Sequence, residues 1–416
     1  MTEIIQSQKL RFSHTKKAVL WTSILNEPLL TIYALFSFIL HKDLGASALQ
    51  IGVLTMLKPM VSLFSMYWCS MIAKRPDRIL SNVVYAGILS RLPFFFFPLI
   101  DNPWILIGAV VFYMMLSRGA MPAWVEILKM NLPTKSRGSI YSWGSAIGYI
   151  EGVVIAIGVG YLLDHYYEVW RYLFPFSALI GIIGVYIQSK IPMKHLPEPL
   201  EKSSFNLKEL IINPWKEAYI LLKENKGFRQ YQWGVMFCGF GVMVIQPALP
   251  LFFVDILGLS YTDLAIALSI WKGIGYSVTS PFWGKRFASS NIYNFSGLIF
   301  IFMGLFPLLL FFAPINHIWV FIAYLAYGIG SAGCHISWNL SGPYFSNEEN
   351  SSVYSSINIL MVGIRGSFIP PLGSLLCVVF GPITVLAVGF IFCFYSAFLI
   401  RNWGRKEALE TNSKLI

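Results

Sequence analysis

The stretch NFSGLIFIFMGLFPLLLFFAP, residues 294–314, carries no charged side chain over twenty-one positions. An α-helix of that length rises about 30 Å, the thickness of a bilayer's hydrocarbon core. A strand of a membrane barrel would alternate apolar and polar residues over about ten positions, and this run is continuously apolar. Eleven further runs of similar length follow the same pattern, at 18–40, 48–69, 79–99, 103–125, 138–163, 170–190, 231–254, 262–283, 318–340, 352–380 and 382–402. The sequence therefore predicts an all-α membrane protein with twelve transmembrane helices.

Composition points the same way. Of 416 residues, 56 % are hydrophobic and 12 % charged, against roughly 25 % charged in soluble proteins. This excludes a soluble multidomain enzyme and a disordered chain, both of which need more polar surface. No HExxH, GxSxG or phosphate-cradling glycine loop is present, so neither enzymatic activity nor a cofactor or metal is expected. The five cysteines, Cys69, Cys238, Cys334, Cys377 and Cys393, form no CxxC pair and read as small apolar fillers. Residues 1–17 are polar and basic and precede a full-length span, which does not read as a signal peptide.

A polar stretch at 192–230 divides the spans six and six. The expected domains are an N-terminal bundle, 1–191, a linker with a basic amphipathic segment, 192–230, and a C-terminal bundle, 231–416. With both termini in the cytoplasm, that side holds 24 of the 31 lysines and arginines, and the opposite side holds only Lys42 and Arg171. This asymmetry is the positive-inside signature of an integral membrane protein. It accounts for the net charge of +11 without a nucleic-acid partner, and the expected location is a bacterial inner membrane.

The halves repeat at an offset near 214 residues. Leu44-Gly45-Ala46-Ser47 matches Leu257-Gly258-Leu259-Ser260, Lys58 matches Lys272, and Trp68 matches Trp283. Trp124 matches Trp338, Ile140-Tyr141-Ser142 matches Val353-Tyr354-Ser355, and Ile150-Glu151-Gly152 matches Ile364-Arg365-Gly366. The loop after the second span reads Ser70-Met-Ile-Ala-Lys74-Arg75-Pro-Asp77-Arg78. It resembles the major facilitator superfamily motif of glycine, three residues, an acid, a base, one residue, glycine and further bases. Arg75 and Arg78 match, whereas Ser70, Lys74 and Asp77 replace the glycine, the acid and the second glycine. Arg118-Gly119 resembles the family's arginine motif in the fourth helix. The resemblance implies two pseudo-symmetric six-helix bundles, a monomer, and a small-molecule solute bound near the midplane and exposed to each side in turn.

Ionisable groups in mid-bilayer cost at least about 2.5–3.5 kcal/mol each to insert and so mark function or pairing. The spans hold the acids Glu27 and Glu151 and the bases Lys58, Arg91, Arg118, Lys272 and Arg365, while Glu126 reads as interfacial. Glu27 with Lys58, and Glu151 with Arg118 or Arg365, are the expected structural pairs. Arg91 reads as structural. Three positive charges remain over, which points to an anionic ligand. Lys58, Lys272, Arg365 and Arg118 are the candidate anion-binding residues, with Asn26, Gln246, His335 and Asn339 as polar contacts. Glu27 and Glu151 are the proton-coupling candidates, because substrate charge nearby changes the proton affinity of an acid. The expected function is secondary transport of a small organic or phosphorylated anion, by proton coupling or exchange. Export of apolar or cationic compounds is the alternative, and a non-transporting assembly factor or receptor on the same fold is a third.

A gate is expected where Lys74, Arg75 and Arg78 can meet Glu348 and Glu349, the acids of the loop before the eleventh span. Exposed pairs contribute about 0–1 kcal/mol each, which suits a contact that must reopen. Reversing the charge of Glu348 and Glu349 is expected to raise cytoplasmic accessibility, measured by thiol labelling of engineered cysteines. Unchanged labelling would remove the gate.

Overall fold

The computed structural model describes residues 2–74, 76–193, 207–346 and 351–413. Among these residues the chain is helical and has no strand. Helix α1 spans Thr2–Lys42 and α2 spans Ala48–Lys74, and a short 3-10 turn, Pro76–Arg78, leads into α3, Ile79–Arg91. Pro93 and Pro98 lack the N–H that an α-helix needs, and α3 continues as a 3-10 segment, Leu92–Leu99. Helices α4 (Pro103–Asn131), α5 (Thr134–His165) and α6 (Trp170–Ser189) follow, then the amphipathic α7 (Leu207–Glu224). Helix α8 (Lys226–Val244) runs on through α9 (Ala248–Leu251) and a π-turn, Phe252–Ile256. Helix α10 (Tyr261–Ala265) continues through a second π-turn, Ile266–Trp271, into α11 (Lys272–Ala288). Helices α12 (Ile292–Leu310), α13 (Ile318–Ser346) and α14 (Ser351–Ser413) complete the described chain.

Nine segments among the described residues are long and apolar enough to cross a membrane. The longest, Ile357–Lys406, contains Gly381, whose φ of 80° is non-helical and breaks α14 in two. With that break, and with α2 and the α10–α11 segment added, the twelve expected spans are present. Polar caps set several starts. Asn102 accepts from the Trp104 N–H at 2.9 Å before α4, Asn225 from Phe228 at 2.9 Å before α8, and Asn291 from Asn294 at 2.8 Å before α12. Each side chain satisfies an N–H that the first helical turn leaves unpaired.

Packing divides the chain into two units. The first comprises Met1–Gly45 and Val61–Phe205, and the second comprises Ala46–Met60 and Asn206–Ile416. The boundary inside α2 falls beside Pro59, so Lys58 belongs to the second unit.

The first unit has an aromatic core in which Phe94 stacks on Phe174 at 5.4 Å and Phe97 lies 4.8 Å from the same ring. Beside it, Arg171 donates to Asp101 at 2.5 Å, to Glu168 at 2.8 Å and to the Ile100 carbonyl at 2.9 Å. Glu168 adopts a φ of 55°, unusual for a residue with a Cβ. It occupies the turn that presents its carboxylate to this guanidinium. In the second unit, buried Gln232 donates to Asn358, which donates to Ser341 at 2.9 Å, while Tyr231 and Ser296 each bond the Ser337 hydroxyl at 2.9 Å. Buried polar groups need such partners because no water replaces them.

The repeat is visible atom by atom. Gly45 and Gly258 take φ values of 62° and 61°, the left-handed conformation that glycine adopts without strain. The serine two residues on caps the next helix in both cases, accepting from Gln50 at 3.4 Å and from Asp263 at 3.0 Å. Trp68 lies against Gly119, and Trp283 against Gly333.

Helix crossings also depend on glycine. The missing side chain of Gly328 faces the Lys272 carbonyl, and that of Gly373 faces the Val244 carbonyl. Gly108 and Gly158 face open space. Gly328→Val and Gly373→Val are each expected to destabilise by about 1–3 kcal/mol through overpacking, read as a lower melting temperature in detergent. Gly108→Ala and Gly158→Ala should leave it unchanged.

Candidate functional site

In the first unit the site begins at Asn26-Glu27-Pro28. Pro28 lies inside α1 and removes one helical hydrogen bond, which loosens the backbone at this level. The side chains before it enter a cavity of about 490 Å3 lined by Asn26, Glu27, Arg91, Tyr113, Ser117 and Gln188 among others. Arg91 is 6 % exposed. Its Nη2 donates to Asn26 Oδ1 at 2.6 Å and its Nη1 to the Gly87 carbonyl at 2.5 Å. Its Nε has no partner among the described residues. A Cβ on Gly181 of α6 would collide with this guanidinium, so Arg91 occupies space that a glycine leaves open. It ties α3 to α1 and lines the cavity, whereas the sequence reading of it as structural assumes a place outside the cavity.

Glu27 is seated in the same manner. Its carboxylate lies over Gly148 and Gly152 of α5, and a Cβ on Gly152 would displace it. Glu151, adjacent to Gly152, interacts electrostatically with Glu27. One Glu151 oxygen is buried without a hydrogen-bond partner among the described residues. The structure thus brings the two candidate coupling acids together. The expected ion pair between Glu151 and Arg118 is not present among the described residues. Arg118 is exposed and lies within electrostatic reach of Tyr33 and Tyr113. Glu27 falls in the first unit and Lys58 in the second.

The second unit holds three of the candidate bases. Lys272 opens α11 after the π-turn, and its ammonium sits 5.2 Å from the centre of the Tyr327 ring. This is a cation–π contact, and no carboxylate pairs with Lys272 among the described residues. Arg365 lies in the notch left by Gly239 of α8 and donates through Nη1 to the Val235 carbonyl at 2.6 Å. Its Nε has no partner among the described residues, and it forms no ion pair with a carboxylate there. Half-buried Lys58 precedes Pro59, which packs on Gly366, the residue after Arg365. Lys58 and Arg365 therefore flank one helix contact.

The polar candidates divide. Asn339 donates to the His335 carbonyl at 2.8 Å and approaches the His335 ring at 3.3 Å, with Tyr276 edge-on to that ring. Gln246 is half-buried in the break between α8 and α9. Of the gate residues, Arg78 pairs with Asp77 at 3.7 Å. Arg75, Glu348, Glu349 and the side chain of Lys74 lie outside the described residues. Tyr113, Ser117, Gln188 and Tyr327 did not stand out in the sequence, because uncharged polar residues in apolar helices are common. The signal that could have pointed to the site is the glycine next to each repeated charge, Gly152 and Gly366.

The sequence pattern of the Major Facilitator Superfamily matches residues 20–370. The chain belongs to the major facilitator superfamily. It is an integral membrane protein and a secondary transporter, not an enzyme. Solved transporter structures share its fold. A nucleoside transporter, NupG, is 16 % identical over 94 % of this chain and 98 % of its own, with a TM-score of 0.63. A peptide transporter, POT, in complex with alafosfalin is 12 % identical over 94 % and 95 %, with a TM-score of 0.69. A bacterial homolog of the human lysosomal transporter Spinster, in an inward-facing and unoccupied conformation, is 16 % identical over 96 % of each chain, with a TM-score of 0.59. No curated protein matches the sequence.

In this facilitator the Asn26–Arg91 contact is the polar tie between α1 and α3. Hydrogen bonds to charged groups contribute about 1.5–3 kcal/mol. Asn26→Leu should lower stability by that order by orphaning the guanidinium. Adding Arg91→Met should recover most of the loss, measured by thermal unfolding of the single and double variants.

Proposed function

We propose that this facilitator moves a small anionic solute, organic or phosphorylated, by alternating access. The observation that carries the reading is the unequal treatment of the bases in the helices. Arg171, at the membrane edge, is met by two carboxylates. Lys272 is met by a ring face, and Arg365 by a backbone carbonyl. Neither Lys272 nor Arg365 has a carboxylate partner among the described residues. Partial dipoles and a ring quadrupole offset only part of the cost of burying a full charge. A bound anion supplies the remainder, and Arg365 offers a planar fork suited to carboxylate or phosphate. Lys58, beside the same helix contact, completes the basic set. Gln246, His335 and Asn339 are the polar contacts in this reading.

Glu27 and Glu151 are assigned to proton coupling. The two carboxylates interact electrostatically within one unit, so a charged solute nearby acts on both. Exchange of one anion for another is the variant in which these acids serve packing only. The protein acts as a monomer in a bacterial inner membrane, with both termini in the cytoplasm. A second reading, export of cationic or apolar compounds, draws on the first-unit cavity, where Glu27 lies among Tyr113, Tyr149, Trp124 and Met121.

A thermal-shift screen of purified protein against phosphorylated, carboxylate, neutral and cationic metabolites tests the two readings. A ligand at a hundred times its Kd stabilises by about 2.7 kcal/mol. Stabilisation by an anion, lost in both Lys58→Ala and Lys272→Ala, is expected. Stabilisation only by cationic or apolar compounds, retained in both variants, would overturn the anion reading in favour of export.

A further inference from the structure

A second cleft, of about 290 Å3, lies in the second unit, away from the bases described above. Ile301 of α12 lines it, together with Phe394, Phe398, Arg401, Asn402 and Arg405 of α14. These α14 positions recur every three or four residues and so share one face of the helix. Along that face the chemistry changes once, from rings to bases. From Phe394 to Arg405 is about 16 Å of helix, enough to run from the acyl region of a leaflet to its phosphates. Arg405 is near the end of α14 that the distribution of basic residues assigns to the cytoplasm.

Residue choice on α12 shapes the cleft. Gly297 and Gly304 flank Ile301 by one turn on either side. The Arg401 stem crosses Gly297, whose Cβ would stand 2.5 Å from Cγ, and the Phe394 ring covers Gly304, whose Cβ would stand 2.6 Å from it. The glycines let α14 lie close while the Arg401 head stays exposed. Arg405 is exposed as well, and neither arginine forms an ion pair among the described residues. Phe398 is 65 % exposed, an apolar ring turned outward directly below the two charges.

The geometry points to a binding site for an anionic phospholipid. Its phosphodiester lies between Arg401 and Arg405, the Asn402 amide faces its polar linkage, and an acyl chain lies along Ile301, Phe394 and Phe398. Charge complementarity selects the headgroup. Basic clefts at the cytoplasmic ends of membrane helices attract anionic lipid. A zwitterionic lipid carries the same phosphate, but its ammonium offsets the attraction. The site is independent of the transported solute.

Native mass spectrometry of the full-length protein, released from detergent with phosphatidylglycerol or phosphatidylcholine of equal chain length, tests the assignment. Roughly tenfold preferential retention of phosphatidylglycerol is expected. Arg401→Gln with Arg405→Gln should abolish the preference. Ile301→Trp, which fills the cleft and keeps both arginines, should release phosphatidylglycerol as well. Equal retention of the two lipids, or a preference that survives in either variant, would overturn the site. Displacement of phosphatidylglycerol by an equimolar amount of glycerol 3-phosphate would also overturn it, since the arginines would then hold free phosphate and not lipid.

Discussion

A charged side chain enters a packed crossing of membrane helices only where the facing helix leaves room for it. At four places among the described residues that room is a glycine. Glu27 lies over Gly152, Arg91 over Gly181, Arg365 over Gly239 and the stem of Arg401 over Gly297. The interior is packed as densely as a crystal, so a single methyl group at any of these glycines would force the charge out or the helices apart. The placement of these four charges therefore follows from where the facing helices lack side chains.

Both halves use this device, on different helices. In the first unit an acid on α1 enters a glycine notch on α5. In the second, a base on α14 enters a glycine notch on α8. Glu151 and Arg365 hold matching positions of the repeat, each followed by a glycine, Gly152 or Gly366. Gly152 receives the Glu27 carboxylate, while Gly366 receives Pro59. The pseudo-symmetry of the backbone thus survives while the chemistry of the halves has diverged. Glu27 and Glu151 belong to the first unit, and Lys58, Lys272 and Arg365 to the second.

Pairing was the part of the site least legible in the sequence. Glu151 and Arg118 both lie within spans of the first half, yet Arg118 faces the tyrosines Tyr33 and Tyr113 and Glu151 lies near Glu27. The side on which a helical residue projects depends on rotation about the helix axis, and at 100° per residue a short error in register moves a side chain to another neighbour. Arg91 shows the same limit. A structural role is the reading of its place in the third span, but its position on the cavity wall depends on Gly181, ninety residues away in sequence.

The sequence by itself determined the helical membrane class, the twelve spans, the six-and-six repeat and the family. These rest on local length, hydropathy and recurrence, which any stretch of chain carries within itself. The two Leu-Gly turns likewise recur at the offset of the repeat. The tertiary structure alone decided which charges share a site, which lie in glycine notches and which rings and arginines line one cleft. Those depend on contacts between residues far apart in sequence, set by helix rotation and close approach, and no local pattern encodes them.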